Sequence, residues 1–183
     1  VGVNIQRKNV SKIPRVKNQV KLSIFVDGFH ADSAELFELQ CGVKRKRIDN
    51  FADRSCAFIV PDSREGWTES LKKVIDAHYD GITELVLDVS EIRPRGSLIK
   101  GFGGIASGPA PLVEMLTKVN EILNRRVGDY VTPTEWGDVI QLIGTCVVAG
   151  NVRRTALILI GDQDDREFVE SKNYSLDKNK EAS

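Results

Sequence analysis

Short strand-type runs alternate with amphipathic segments along this chain, and this alternation constrains its fold more than any other feature. Apolar and β-branched residues predict strands at positions 1–5, 20–26, 57–60, 84–89, 147–149 and 156–160. Apolar residues at three- and four-residue steps predict helices at positions 31–39, 64–78, about 109–126, from 133 onwards and 162–170. Thr132 and Glu135 have the spacing of a capping box. The remaining long stretches, 9–19 and 40–55, are polar and predicted to be connecting or irregular. The predicted fold class is therefore α/β.

A glycine-rich segment precedes one of these helices. Glycines occupy positions 101, 103, 104 and 108, and an apolar helical pattern begins at Leu112. Ser107 or Gly108 is the predicted cap of that helix, and Pro109 suits its first turn. A flexible loop that leads into a helix N-terminus favours anions, and phosphate is the obvious candidate. The alternative is that the glycines form only a tight turn.

Two basic loops stand near predicted strand ends, where ligand sites of α/β proteins usually lie. Arg93 and Arg95 follow the strand at 84–89 and lead towards Lys100, and Arg153-Arg154 lies between Gly150 and the strand at 156–160. Paired guanidiniums suit bidentate binding of phosphate or carboxylate. Both loops have a second interpretation as solvated surface, and the arginine pair would then face Asp162 or Asp164.

Bulk composition excludes several classes of partner. Lysine and arginine balance aspartate and glutamate at 26 each, so no overall field draws the chain to nucleic acid or to an anionic membrane. The basic run Lys44-Arg45-Lys46-Arg47 is interpreted as solvated surface. No apolar run approaches the roughly 20 residues of a membrane span. The cysteines lack metal-binding or C-x-x-C spacing, which indicates a reducing cytoplasm.

The chain shows no pattern of a catalytic centre or a metal site. His30 and His78 have no acid or thiol partner at an informative spacing, and His78 is predicted to be structural. Cys146 lies within an apolar run and is predicted to be a buried, inert thiol. Nucleophile, zinc, Walker and Rossmann motifs are all missing from the sequence. The residues alone therefore predict a phosphate-ligand module.

Three longer motifs occur in a recognisable order. Residues 61–67 read Pro-Asp-Ser-Arg-Glu-Gly-Trp, and residues 92–94 read Ile-Arg-Pro, followed by Gly-Phe-Gly-Gly and Ala-Ser-Gly-Pro at 101–104 and 106–109. Residues 148–156 read Val-Ala-Gly-Asn-Val-Arg-Arg-Thr-Ala. Together they resemble the adenosylcobalamin-dependent, class II family of ribonucleotide reductases, in its monomeric form that acts on ribonucleoside triphosphates. The resemblance runs from Val1 to about Asn173.

The resemblance implies part of a ten-stranded α/β barrel of the reductase type with an inserted α/β segment. Residues 1–11 and 85–183 would belong to the barrel, and residues 12–84 would form the insertion, which imitates a dimer interface. A deoxynucleoside triphosphate effector would contact Arg93, Ser97 and Lys100. A specificity loop would lie between effector and substrate and consist of Gly150, Asn151, Val152, Arg153 and Arg154.

The resemblance also implies that the chemistry lies elsewhere. Family members make deoxyribonucleotides for DNA replication from ribonucleoside triphosphates, through a cobalamin-initiated thiyl radical, with a thioredoxin-type reductant. Adenosylcobalamin and the catalytic cysteines would belong to other parts of the reductase, because no cysteine here occupies a matching position. Since the first residue is Val1, the chain is expected to be a fragment of a longer cytoplasmic enzyme. The alternatives are a separate regulatory, nucleotide-binding module without catalysis, and a degenerate remnant that folds poorly.

Overall fold

The computed structural model describes residues 1–39, 41–46, 57–99, 104–149 and 156–171. Strands and helices alternate through most of this part of the chain, which confirms the predicted α/β class. In chain order the elements are β1 (Gly2–Asn4), α1 (Arg7–Val10), β2 (Lys21–Asp27), α2 (Ser33–Glu38), β3 (Lys44–Lys46), β4 (Ala57–Ile59), α3 (Arg64–Asp80), β5 (Glu84–Asp88), α4 (Ala110–Asn124), α5 (Pro133–Val148), β6 (Ile158–Ile160) and α6 (Arg166–Glu170).

The larger sheet has four parallel strands in the order β3-β2-β5-β4. Its centre is the pair β2 and β5, which is in register from Lys21 opposite Glu84 to Phe25 opposite Asp88. Helix α3 connects β4 to β5, as parallel neighbours require a crossover. Because all four strands point the same way, their carboxyl ends meet at one edge. The predicted boundary between insertion and barrel, at residues 84 and 85, falls at the start of β5.

Three long helices pack in sequence beside this sheet, with α3 against α4 and α4 against α5. Helix α4 is the most buried of them, because its apolar residues recur on more than one face, and Leu112, Leu116 and Leu123 are fully enclosed. Asn124 at its end binds the start of β2 twice: Val20 N–H donates to Oδ1 at 2.8 Å, and Nδ2 donates to the Val20 carbonyl at 3.0 Å. This amide therefore fixes the sheet to the helical layer.

A second, two-stranded sheet joins the two ends of the described chain. Strands β1 and β6 are parallel, with Gly2 opposite Ile158 and Asn4 opposite Ile160. Short helix α1, which the sequence pattern did not predict, is held there by Asp162, whose Oδ2 accepts the Arg7 N–H at 2.6 Å. The ten-stranded barrel implied by the resemblance stays a prediction, since the described strands form these two sheets.

Three local predictions are wrong. The predicted strand at 147–149 is the last turn of α5 and the residue after it, because the apolar pair Val147-Val148 continues the helical pattern. Lys44–Lys46, predicted to be irregular, is an edge strand. Its Lys44 and Arg45 are exposed, as predicted for the basic run, and they cover the rings of Phe25 and Phe37. Neither Ser107 nor Gly108 caps α4: the residue at the cap position is Pro109, and no side chain accepts a hydrogen bond there.

Candidate functional site

A cavity of about 420 Å³ opens between the start of α3, the segment after β5 and the end of α5. This volume lies within the roughly 300–1,000 Å³ typical of small-molecule sites. Its wall combines charged, hydroxyl and apolar groups, contributed by Asp62, Ser63, Arg64, Trp67, Thr68, Ile92, Arg93, Ile99, Ile105, Ala106, Ser107, Gly108, Cys146 and Val147. Two guanidiniums and one carboxylate give this wall a net charge of +1.

The start of α3 is a rigid part of that wall. The Ser63 side chain accepts the Gly66 N–H at 3.0 Å and so caps the helix. A Cβ at Gly66 would lie 2.8 Å from Cδ of Pro61 and still nearer its carbonyl oxygen, so only glycine lets the chain pass there. These contacts give the motif at 61–67 a physical reason: it fixes Asp62 and Trp67 at the cavity.

The segment after β5 returns on itself as a narrow antiparallel ladder. Gly96 N–H donates to the Ala106 carbonyl at 3.0 Å, and Ala106 N–H donates to the Ser97 carbonyl at 2.8 Å. Ile99 N–H donates to the Gly104 carbonyl at 3.0 Å. Ser97 belongs to this ladder and is not among the residues that line the cavity. Lys100, the third predicted effector contact, lies outside the described residues.

Arg93 stands at the base of the ladder and faces the start of α3. Its Nε donates to Oδ2 of Asp62 at 2.6 Å, and the two side chains are 35% and 30% exposed. Sequence reasoning found Arg93 but missed Asp62, because the two residues are 31 positions apart and no local pattern connects them. The ion pair holds Arg93, the residue predicted to bind phosphate, at the wall of the cavity.

The turn between β2 and α2 supports the other side of the ladder. His30 Nδ1 accepts the Asp32 N–H at 3.1 Å, so Nε2 carries the ring proton and donates to the Ile92 carbonyl at 2.7 Å. Asp32 Oδ2 accepts the Arg95 N–H at 2.8 Å, and Arg95 Nη1 lies 3.3 Å from Oε1 of Glu35. Both ring nitrogens of His30 therefore bind backbone groups and hold the two segments together, which explains why the sequence showed no acidic partner for this histidine.

The end of α5 closes the cavity. Cys146 is buried there, as predicted, and this burial raises the pKa of the thiol to about 12. That the thiol is inert stays a prediction. Cys146 and Ser107 also line a second cavity of about 230 Å³ on the side of α2. The predicted specificity loop, Gly150, Asn151, Val152, Arg153 and Arg154, follows α5 and lies outside the described residues.

Other chemistry is not evident in the described part of the chain. His78, predicted to be structural, is fully buried between the Val74 carbonyl and Oδ1 of Asn124, and this burial lowers its pKa. Across the described ranges, no three histidine, cysteine, aspartate or glutamate side chains stand close enough together to hold a metal ion. The same ranges hold no helix with the length and apolarity to span a bilayer.

Comparison with known proteins gives a consistent result. The family model described as "B12-dependent ribonucleotide reductase, insertion domain" matches residues 20–123, more than half of the chain. Adenosylcobalamin-dependent ribonucleoside-triphosphate reductases from Lacticaseibacillus paracasei and Lactobacillus leichmannii are each 41% identical over 180 residues, which is 94% of this chain and 24% of theirs.

A solved structure agrees with these relatives. The crystal structure of a B12-dependent, class II ribonucleotide reductase superposes on the whole chain with a TM-score of 0.85 at 37% identity, and the chain covers 25% of it. The chain thus spans about a quarter of the length of the curated relatives it matches. The predicted resemblance is confirmed: the chain belongs to the family of B12-dependent ribonucleotide reductases.

Proposed function

We propose that this chain is the effector-binding part of an adenosylcobalamin-dependent ribonucleoside-triphosphate reductase. The observation that carries the proposal is the 420 Å³ cavity, whose wall combines the Asp62–Arg93 ion pair and Arg64 with a largely apolar remainder. The relatives are ribonucleoside-triphosphate reductases by name, so a role in ribonucleotide reduction follows from the family. The more specific role, binding of an effector, is inferred from the cavity.

A deoxynucleoside triphosphate suits this cavity chemically. Guanidinium groups bind phosphate through charge-assisted hydrogen bonds. Arg93 and Arg64 each contribute one guanidinium group to the cavity wall. A base and deoxyribose need apolar contact and an aromatic face, which Trp67, Ile105 and Val147 provide. The effector phosphates would therefore lie towards Arg93, with Ser97 and Lys100 as further contacts of the same loop.

The positions of the two predicted loops support allosteric coupling. Ile99 lines the cavity and directly precedes Lys100, and Val147 lines it three residues before Gly150. The described residues that precede both loops therefore reach the cavity wall. A bound effector would contact Arg93 and Lys100 through the first loop. The second loop, Gly150 to Arg154, would transmit base identity to the substrate site.

The reduction itself belongs to the rest of the reductase in this proposal. A corrin ring with its nucleotide tail is far larger than the 420 Å³ cavity, so the described cavity does not fit adenosylcobalamin. The cofactor, the ribonucleoside triphosphate and the thioredoxin-type reductant would bind to other parts of a cytoplasmic enzyme. Residues 12–84 are proposed as the insertion, and residues 1–11 and 85–183 as barrel; the insertion-domain family model extends further, to residue 123, and so includes β5 and most of α4.

Trp67 offers a direct test of effector binding. The chain has two tryptophans, Trp67 and Trp136, and only Trp67 lines the cavity. In the Trp136→Phe variant, a deoxynucleoside triphosphate should change Trp67 fluorescence saturably, because the base or sugar enters its surroundings. Arg93→Ala should weaken that binding, whereas exposed Lys21→Ala, on the opposite end of β2, should not. No saturable change up to millimolar nucleotide would refute the proposed function.

A further inference from the structure

Asp62 is held in one place by the chain on both sides of it. Val60 N–H donates to the Asp88 carbonyl at 2.9 Å and ties the end of β4 to β5. Ser63 N–H then donates to the Pro61 carbonyl at 2.8 Å, and the Ser63 side chain caps α3. The close approach of Gly66 to Pro61 leaves this turn no room to move inward. The carboxylate therefore reaches Arg93 from a fixed backbone.

Arg93 is held on its own side as well. Ile92, which precedes it, is buried, and its carbonyl accepts the proton of His30 Nε2 at 2.7 Å. Only the direction of the guanidinium remains to be set, and the Nε–Oδ2 hydrogen bond to Asp62 sets it. A guanidinium has five donors, of which Nε–H is one. Among the described residues, no acceptor occupies the four donors on the two Nη atoms.

We propose that Asp62 is a positioning residue for Arg93 in the proposed effector site. Its carboxylate accepts the hydrogen bond from Arg93 Nε–H, which leaves both Nη groups directed towards the phosphate of the ligand. This inference rests on the proposed function. A long arginine side chain loses rotamer freedom when it binds a ligand, and orientation in advance lowers that cost. Asp62 also brings a negative charge towards an anionic ligand, so the two effects of the carboxylate oppose each other and can be separated by substitution.

Two substitutions at position 62 distinguish orientation from charge. Asp62→Asn retains an oxygen that accepts the Arg93 Nε–H but loses the negative charge. Asp62→Ala loses both the acceptor and the charge. If charge alone mattered, both variants would bind a phosphate ligand more tightly than the original chain. If orientation matters, only Asp62→Asn retains or improves the affinity.

The experiment is calorimetric titration of the full chain with inorganic tripolyphosphate and with a deoxynucleoside triphosphate. We expect Asp62→Ala to weaken both affinities about tenfold and Asp62→Asn to bind at least as tightly as the original chain. Glu69→Ala is the matched control, since Glu69 is an acid of α3, the helix that follows Asp62, and pairs with Lys73 and not with Arg93. Thermal unfolding without ligand shows whether each variant is folded, and a loss of affinity in Asp62→Ala with an unchanged midpoint is an outcome that a merely structural role would not give.

The possible outcomes separate the two proposals. If the original chain binds and Asp62→Ala binds equally or more tightly, the positioning role is overturned while the proposed function stands. The positioning role is also overturned if Asp62→Asn loses as much affinity as Asp62→Ala. If the original chain binds neither ligand, the proposed function fails and the positioning role fails with it.

Discussion

Replacement of Gly66 by alanine tests whether the turn before α3 is as closely packed as the structure indicates. The new Cβ would lie 2.8 Å from Pro61 Cδ, 3.0 Å from Pro61 N and nearer still to the Pro61 carbonyl oxygen. These are mostly backbone atoms, so relief requires a shift of the turn or of the first turn of α3. Overpacking of this kind costs about 1–3 kcal/mol.

Two further effects decide the net magnitude. Alanine gains up to about 1 kcal/mol over glycine from helix propensity. A shift of the helix start would weaken the Ser63 cap, which costs about 1 kcal/mol. The sum is a loss of about 1–3 kcal/mol, and for a chain of this size 2 kcal/mol lowers Tm by about 4–8 °C.

Gly137→Ala is the matched control. Gly137 is also a buried glycine near the start of a long helix, but its Cβ would meet Cδ1 of Leu159 at 3.0 Å and Cδ1 of Ile5 at 3.5 Å. These are the ends of flexible side chains that can turn away, so this variant should be neutral or more stable by up to about 1 kcal/mol. Urea unfolding followed by far-UV circular dichroism measures both. The reasoning is refuted if Gly66→Ala is as stable as the original chain, or if both variants lose equally.

Three other predictions concern buried polar groups. Asn124→Leu should lower the free energy of unfolding by about 1–3 kcal/mol, because it leaves the Val20 N–H without its acceptor and leaves the Val20 carbonyl with only the longer hydrogen bond from Asn120 at 3.3 Å; an unchanged urea midpoint would contradict this. Burial lowers the pKa of His78 in the folded state. As pH falls through about 6.5, the unfolded chain therefore binds a proton before the folded chain does, and the free energy of unfolding declines by at most about 1.4 kcal/mol per pH unit. His78→Gln should flatten that part of the stability profile between pH 7.5 and 5.5, and equal slopes would count against the assignment. Cys146 should resist iodoacetamide at pH 8 in the folded chain and react in urea, as peptide mass spectrometry would show; rapid labelling without urea would exclude its burial.

Elements with local signals were predictable from the sequence. The capping box of Thr132 and Glu135 marks the start of α5, and both of its hydrogen bonds are present. The apolar periodicity of α4 likewise matches its buried face. Strand β3 carried no such signal, because its Lys44 and Arg45 cover aromatic rings with their side chains and its pairing with β2 is not encoded in an apolar pattern.

The candidate site was only half predictable for the same reason. Arg93 follows a strand in a basic loop, which is a local observation. Its partner Asp62 and its supports His30 and Asp32 come from distant parts of the chain. Their roles follow from the order β3-β2-β5-β4, which brings the carboxyl ends of β2, β4 and β5 together. Single-sequence patterns do not determine strand order, so these contacts required the structure.

The parallel pairing of β1 with β6 has a consequence for the time at which the chain can fold. The Val1 amino group donates to the Ala156 carbonyl, 155 positions later. At about 5–20 residues per second, synthesis of that interval takes roughly 8–30 s. The strands and helices between β2 and α4 emerge much earlier and can assemble first, since β2, β5 and Asn124 all lie within them. The pairing of β1 with β6 is therefore one of the last contacts of the described chain that can form during synthesis, after the four-stranded sheet.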